Sequence, residues 1–146
     1  MTRGFEAINS VTIDAPKAEV WDALTNPEKV KQYLHGTKMS TDWRVGSPIF
    51  WRGEWKGKPY EDKGKVLEVK VQRLIRYTHW SPMGGSEDKP ENYHTVTYEL
   101  AGDDGKTVLT LTQDNNPTKE EADKMARDNW GPVLQGLKKT AENQAS

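Results

Sequence analysis

The sequence predicts an α+β fold, an antiparallel β-sheet packed against a long C-terminal helix, in the order β-α-α, five or six strands, α. Three observations carry this expectation. Apolar residues alternate through the middle of the chain, then recur at three- and four-residue steps from Ala122 to Ala141. Consecutive strand-like runs are separated by short clusters of turn residues, which favours antiparallel neighbours. The helical stretches gather at the two ends of the chain and do not alternate with strands, the pattern of an α+β layer structure.

Each element has a local cause. Phe5–Ile13 sets the β-branched residues Ile8, Val11 and Ile13 among small or polar ones and reads as a strand. Ala15-Pro16 opens a helix, with Pro16 in the first turn, where its missing N–H costs nothing, and Val20, Trp21 and Leu24 on the apolar side. Asn26 caps a second short helix with Val30, Tyr33 and Leu34 facing inward, and Gly36 ends it. There is room for a short extra strand near Lys38–Trp43. Ser47–Gly53 and Tyr60–Lys70 are strands joined through Lys56-Gly57-Lys58-Pro59, and Leu74–Trp80 is a third, closed by Ser81-Pro82-Met83-Gly84-Gly85. Tyr93–Leu100 and Thr107–Gln113 form a hairpin across Gly102-Asp103-Asp104-Gly105. Val96, Tyr98 and Leu100 share one face of its first strand, and Leu109 and Leu111 one face of its second.

The last helix starts at a capping box, Thr118-Lys119-Glu120-Glu121. Its apolar stripe is Ala122, Met125, Ala126, Trp130, Val133, Leu137 and Ala141. Gly131-Pro132 interrupts it. Pro132 removes one helical bond and crowds the carbonyl four residues back, so a bend is expected there and not an end.

Composition narrows the function. The 146 residues carry 21 Lys+Arg against 22 Asp+Glu, a net charge of −1, and one domain over 1–146 is the expectation. Val, Ile, Leu and Phe are only 25 of 146 residues, but six Trp and five Tyr supply apolar area in their place. The absence of Cys removes disulfides, thiolate nucleophiles and Cys-based zinc or iron–sulfur sites. No apolar run is long enough for a membrane span and no charged-then-apolar leader is seen, so a cytoplasmic protein is expected. With no basic surplus, nucleic acid is not the expected partner. Three scattered histidines make no metal site, and no P-loop, dinucleotide fingerprint or nucleophile elbow is present, so no metal and no cofactor are expected.

The element order, together with Trp51-Arg52-Gly53-Glu54-Trp55, Arg76-Tyr77-Thr78-His79-Trp80, Glu91-Asn92-Tyr93-His94 and Asp128-Asn129-Trp130-Gly131-Pro132-Val133-Leu134, resembles the SRPBCC or START-like superfamily. Within it, the chain is similar to the bacterial branch related to the C-terminal domain of the activator of the heat-shock-protein-90 ATPase. The resemblance covers nearly the whole chain and implies a helix-grip fold, a curved antiparallel sheet wrapped around the C-terminal helix with a cavity between them. The superfamily includes lipid carriers, hormone receptors and polyketide cyclases, so fold does not fix function. The activator's chaperone-engaging N-terminal domain has no counterpart in these 146 residues, and chaperone contact is not favoured.

Candidate site residues follow from both lines of reasoning. Trp51, Tyr77, Val96 and Tyr98 lie on predicted strands, and Trp130 and Leu134 on the helix that should face them. Together they would wall a mostly apolar pocket with a few polar handles, although the same aromatics also suit a plain core. His79 shares a strand face with Ile75 and Tyr77; it is either a ligand-bonding or general-base imidazole, or a structural one tied to backbone or to the Ser81-Pro82 loop. His94 is expected to point away from a ligand, and His35 to sit at a helix end. Glu54 and Glu68 are expected to be solvated, and Lys63, Lys65 and Lys70 to mark an outer face. No residue is assigned as catalytic.

The leading functional expectation is a non-enzymatic binder of a small, hydrophobic or aromatic ligand, lipids included. The alternatives are a cyclase-, dehydratase- or hydrolase-type enzyme using His79 or an inward carboxylate, and a chaperone-linked or stress-linked interaction module. Gly131-Pro132 is expected to be either a hinge that gates the cavity together with the Ser81–Pro90 loop, or a fixed bend.

Overall fold

Alternation and turn chemistry produce one antiparallel sheet. The computed structural model describes residues 4–34, 36–82, 86–103 and 105–145. Its elements are β1 (Phe5–Ile13), α1 (Lys17–Thr25), α2 (Pro27–Tyr33), β2 (Lys38–Ser40), β3 (Pro48–Trp55), β4 (Lys58–Lys70), β5 (Leu74–His79), β6 (His94–Asp103), β7 (Lys106–Asn116), α3 (Lys119–Lys124) and α4 (Trp130–Ala145). The seven strands run β1-β7-β6-β5-β4-β3-β2, each antiparallel to its neighbour. The curved sheet and the long C-terminal helix make the helix-grip arrangement.

The turns are tighter than the sequence suggested. Lys56 and Gly57 both take positive φ, 52° and 79°, as a type I′ turn requires, so pairing continues to Trp55 and Lys58. Likewise β6 and β7 pair as far as Asp103 and Lys106. Of the residues read as turns, 83–85 and Asp104 lie outside the described residues.

The helix ends follow their caps. Pro16 is the N-cap of α1 and not part of its first turn. Asn26 Oδ1 accepts the Glu28 N–H at 3.0 Å, and Thr118 Oγ1 accepts the Glu121 N–H at 3.1 Å.

The C-terminal helix differs from expectation in where its irregularity falls. Its irregularity is a π turn at Met125–Asn129, where the Trp130 N–H reaches the Met125 carbonyl five residues back. The helix then continues through Gly131-Pro132. A wider turn just before Pro132 absorbs the missing donor and the ring clash that a regular helix would meet there. Asn9 Nδ2 on β1 donates to the Ala126 carbonyl within this turn at 2.8 Å. Beyond it Leu137 and Ala141 are buried as expected, together with Leu134, while Val133 is only half-buried.

The core lies between the sheet and its helices. It joins Ile13, Val20, Ala23, Leu24 and Val30 to Ile49, Val66, Ile75, Val96, Leu109 and Leu111 on the strands and to Leu134, Leu137 and Ala141 on α4. At Gly136 the helices meet so closely that a Cβ there would stand 2.7 Å from Tyr33 Cβ on α2. This contact seats Tyr33 beside the candidate site.

Candidate ligand-binding site

Three strands and the α1–α2 pair bring aromatic side chains to one place. Inward-facing positions of β3, β5 and β6 present Trp51, Tyr77 and Tyr98, all under a tenth exposed. Across from them, α1 and α2 supply Leu24, Val30, Tyr33 and Leu34; β2 supplies Met39, the following loop Trp43, and β5 also Ile75. These ten residues line a cavity of about 20 Å³. That is room for about one water molecule.

The rings are in mutual contact. Trp51 and Tyr77 have centroids 5.1 Å apart, and Tyr77 and Tyr98 6.4 Å. Tyr33 Oη donates to the Ala23 carbonyl at 2.8 Å. Burial pushes the Tyr33, Tyr77 and Tyr98 phenols well above their ordinary range, so each stays a neutral hydroxyl able to donate or accept.

Trp43 closes the cavity from a loop. Its φ is +59°, the left-handed region that a bulky residue seldom adopts. The loop is held there by local bonds, the Trp43 N–H to Thr41 Oγ1 at 3.2 Å and the Arg44 N–H to Asp42 Oδ1 at 2.9 Å. Trp43 Nε1 donates to the Thr25 carbonyl at the end of α1, at 3.1 Å, which fastens the loop to the helix pair.

A polar pair adjoins the aromatic wall. His79 Nε2 is 3.0 Å from Asp62 Oδ2, and the His79 ring meets Trp51 edge-on at 5.0 Å. A carboxylate only accepts, so Nε2 carries the proton. Both side chains are partly buried, 28% exposed for His79 and 18% for Asp62. The Lys63–Trp80 bridge and the Val66–Tyr77 pair set a register in which Gly64 faces His79. A Cβ at Gly64 would stand 1.7 Å from the Thr78 carbonyl oxygen, so only glycine fits where the Thr78–His79 backbone approaches β4.

The sequence-derived candidates separate into groups. Trp51, Tyr77 and Tyr98 line the cavity together. His79 borders it through Trp51, and Trp130 meets Tyr98 edge-on at 6.4 Å while donating from Nε1 to Gln113 Oε1 at 3.1 Å. Val96 and Leu134 are buried in the core and do not line this cavity. The cavity lies under α1–α2, not against the C-terminal helix; none of its lining residues comes from 119–145, and Gly131-Pro132 does not border it. The reason is packing, since Leu134, Leu137 and Ala141 of α4 are fully buried within the core that the strand side chains share.

The other polar candidates have local roles. His94 Nδ1 bonds the Asp114 carbonyl at 2.8 Å, Glu68 pairs with Arg76 at 2.8 Å, and Glu54 is exposed. His79 is tied to Asp62, not to backbone or to the Ser81-Pro82 loop. His35 lies outside the described residues. Lys63 pairs with Asp88 and stands 5.7 Å over the Trp80 ring, and Trp80 Nε1 donates to Ser86 Oγ, which fastens the 86–93 segment to the outer side of β4. Among the described residues, no group of three His, Asp or Glu side chains is placed to hold a metal ion, and no helix is long and apolar enough to cross a membrane.

Comparison with known proteins supplies the family. The family described as "Activator of Hsp90 ATPase homolog 1-like protein" matches residues 14–142. The solution structure of ChR145 from Cytophaga hutchinsonii is similar at 46% identity and a TM-score of 0.83, over 99% of this chain and 98% of that one. The Aha1 dimer from Colwellia psychrerythraea shares the fold at 20% identity and a TM-score of 0.70, over 94% and 96%. CalU16 from Micromonospora echinospora does so at 20% identity and a TM-score of 0.71, over 95% and 77%. No curated protein matches the sequence. From a match over residues 14–142 and a relative 46% identical along almost its whole length, the chain belongs to the Activator of Hsp90 ATPase homolog 1-like protein family.

Proposed function

We propose that this protein binds a small, largely apolar, aromatic-containing ligand in the space beneath α1–α2. The observation that carries the reading is the convergence of Tyr33, Trp43, Trp51, Tyr77 and Tyr98 on one cavity with five apolar side chains between them. Aromatic walls with a few oriented hydroxyls are the usual composition of a small-molecule site. Ligand pockets generally span roughly 300–1,000 Å³, so a cavity of about 20 Å³ is a closed form that must open for entry. Trp43 is the natural lid, since its backbone is strained and the indole bond to the Thr25 carbonyl is what fastens it to the helix pair.

Titration with naphthalene-sized aromatics, followed by intrinsic Trp fluorescence, tests the reading. Saturable quenching with one site per chain is expected. If no compound of this size saturates, the reading fails.

The family description supports a second reading, an interaction module that acts on a chaperone ATPase. Edge strand β1 carries Phe5 and Ile8 about half exposed, an apolar surface suited to a protein partner. Stimulation of a chaperone's ATPase by this chain, lost in an Ile8→Ser variant, is the outcome that would favour it.

A further inference from the structure

The Asp62–His79 pair leaves one group without an explanation. Asp62 Oδ1 is buried and has no hydrogen-bond partner among the described residues. Buried polar atoms are almost always partnered, and an orphaned carboxylate oxygen is costly, because the charge has left water without a compensating donor. Asp62 stands directly across β3–β4 from Trp51, where an apolar residue would extend the aromatic wall. Its other oxygen is fixed by His79, which is itself held edge-on against Trp51. The orphan oxygen is thus oriented, desolvated and next to a ring that lines the cavity.

We infer that Asp62 Oδ1 is the polar anchor of the ligand site and takes a hydroxyl carried on an aromatic ring. This rests on the cavity reading and specifies its ligand as a phenol. Ring stacking against Trp51 and Tyr77 would place the hydroxyl on the Asp62 side, where it donates to Oδ1 while His79 Nε2 holds Oδ2. An acceptor-only substituent, such as an ether, would meet a carboxylate it cannot satisfy. His79 is a positioning residue in this arrangement, since it orients the carboxylate and does not touch the ligand.

Naphthol and its methyl ether test the inference, because they share ring area and differ in the one proton Asp62 needs. Isothermal titration of the full chain should show naphthol binding at least about tenfold tighter than the ether, the lower bound for a hydrogen bond to a charged group. In Asp62→Asn that preference should collapse to within about twofold, with ether affinity retained. His79→Gln should reduce the preference in part. Equal affinity of the two compounds for the wild-type protein, or an unchanged preference in a folded Asp62→Asn variant, overturns the anchor while leaving the cavity reading intact. Failure of both compounds to bind overturns the cavity reading and the anchor with it. The wild-type comparison needs no variant, so a misfolded substitution does not protect the inference.

Discussion

Two glycines on one helix should respond to alanine in opposite directions. At Gly131 an added Cβ would meet its nearest atoms at 3.9 and 4.0 Å, ordinary van der Waals contact. Gly131→Ala therefore gains helix propensity without meeting any distant atom, offset in part by the Cβ it sets before Pro132 in helical backbone, and should stabilise the protein by at most about 0.5–1 kcal/mol. At Gly136 the same Cβ would stand 2.7 Å from Tyr33 Cβ, about 1 Å inside the separation that carbon atoms prefer. Relief requires α2 and α4 to separate by that amount along a tightly packed seam. Overpacking of this kind costs about 1–3 kcal/mol, against which the propensity gain offsets up to about 1 kcal/mol. Gly136→Ala should thus destabilise by about 0–3 kcal/mol, leaving it less stable than Gly131→Ala by roughly 1–3 kcal/mol. Urea denaturation of both, read as the shift in midpoint at constant slope, gives the comparison. Because Tyr33 lines the cavity, Gly136→Ala should also alter aromatic-ligand affinity, whereas Gly131→Ala should not. Equal stabilisation by both substitutions would refute the close α2–α4 approach and the placement of Tyr33 that depends on it.

Further outcomes follow from the same geometry. Gly64→Ala should destabilise by about 2 kcal/mol or more, because its Cβ meets backbone that cannot retreat; a thermal melt within a degree of wild type would contradict the β4–β5 approach. Trp43→Gly removes the lid and relieves a left-handed backbone costing about 1–2 kcal/mol, so stopped-flow fluorescence should show faster ligand entry and exit; unchanged rates would place the entrance elsewhere. Burial raises the Tyr33, Tyr77 and Tyr98 phenols, so the folded state keeps protons that the unfolded chain releases near pH ~10. That stability is full below pH ~10 and declines as pH rises further. Burial, then the neighbouring Asp88 carboxylate, pushes Tyr93 up to about 12 as well. Phenolate absorbance should accordingly stay well short of five tyrosines at pH ~11 and complete only as the chain unfolds; smooth titration of all five before unfolding would contradict the burial.

The sheet was legible because its information is local. Alternating residues from Val96 to Leu100 and the Lys56-Gly57 turn specify face and register without help from distant parts of the chain. The long helix was legible with most of its buried face, but not in where its irregular turn falls. The π turn at Met125–Asn129 precedes Pro132 and leaves no trace in the apolar periodicity. The strand-borne aromatics of the cavity were legible for the same reason as the sheet: Trp51, Tyr77 and Tyr98 sit on strand positions whose direction alternation determines. Trp43 was not, since it lies in a loop whose conformation comes from Thr41, Asp42 and the Thr25 carbonyl together. Asp62 was hidden too. In YEDKGKVLEVK it is one of four acidic or basic residues in succession around Gly64, and only the cross-strand approach that Gly64 permits shows it to face inward beside His79.

The central claim is that the aromatic cavity under α1–α2 receives a small aromatic ligand. Heteronuclear NMR of the full chain titrated with naphthol tests it most directly, by following each indole N–H separately. The account predicts saturable shifts at the Trp43 and Trp51 indoles, with the Trp80 indole on the outer side of the sheet unchanged. Shifts that grow without saturation, or that centre on Trp80 while Trp43 and Trp51 stay still, would contradict it.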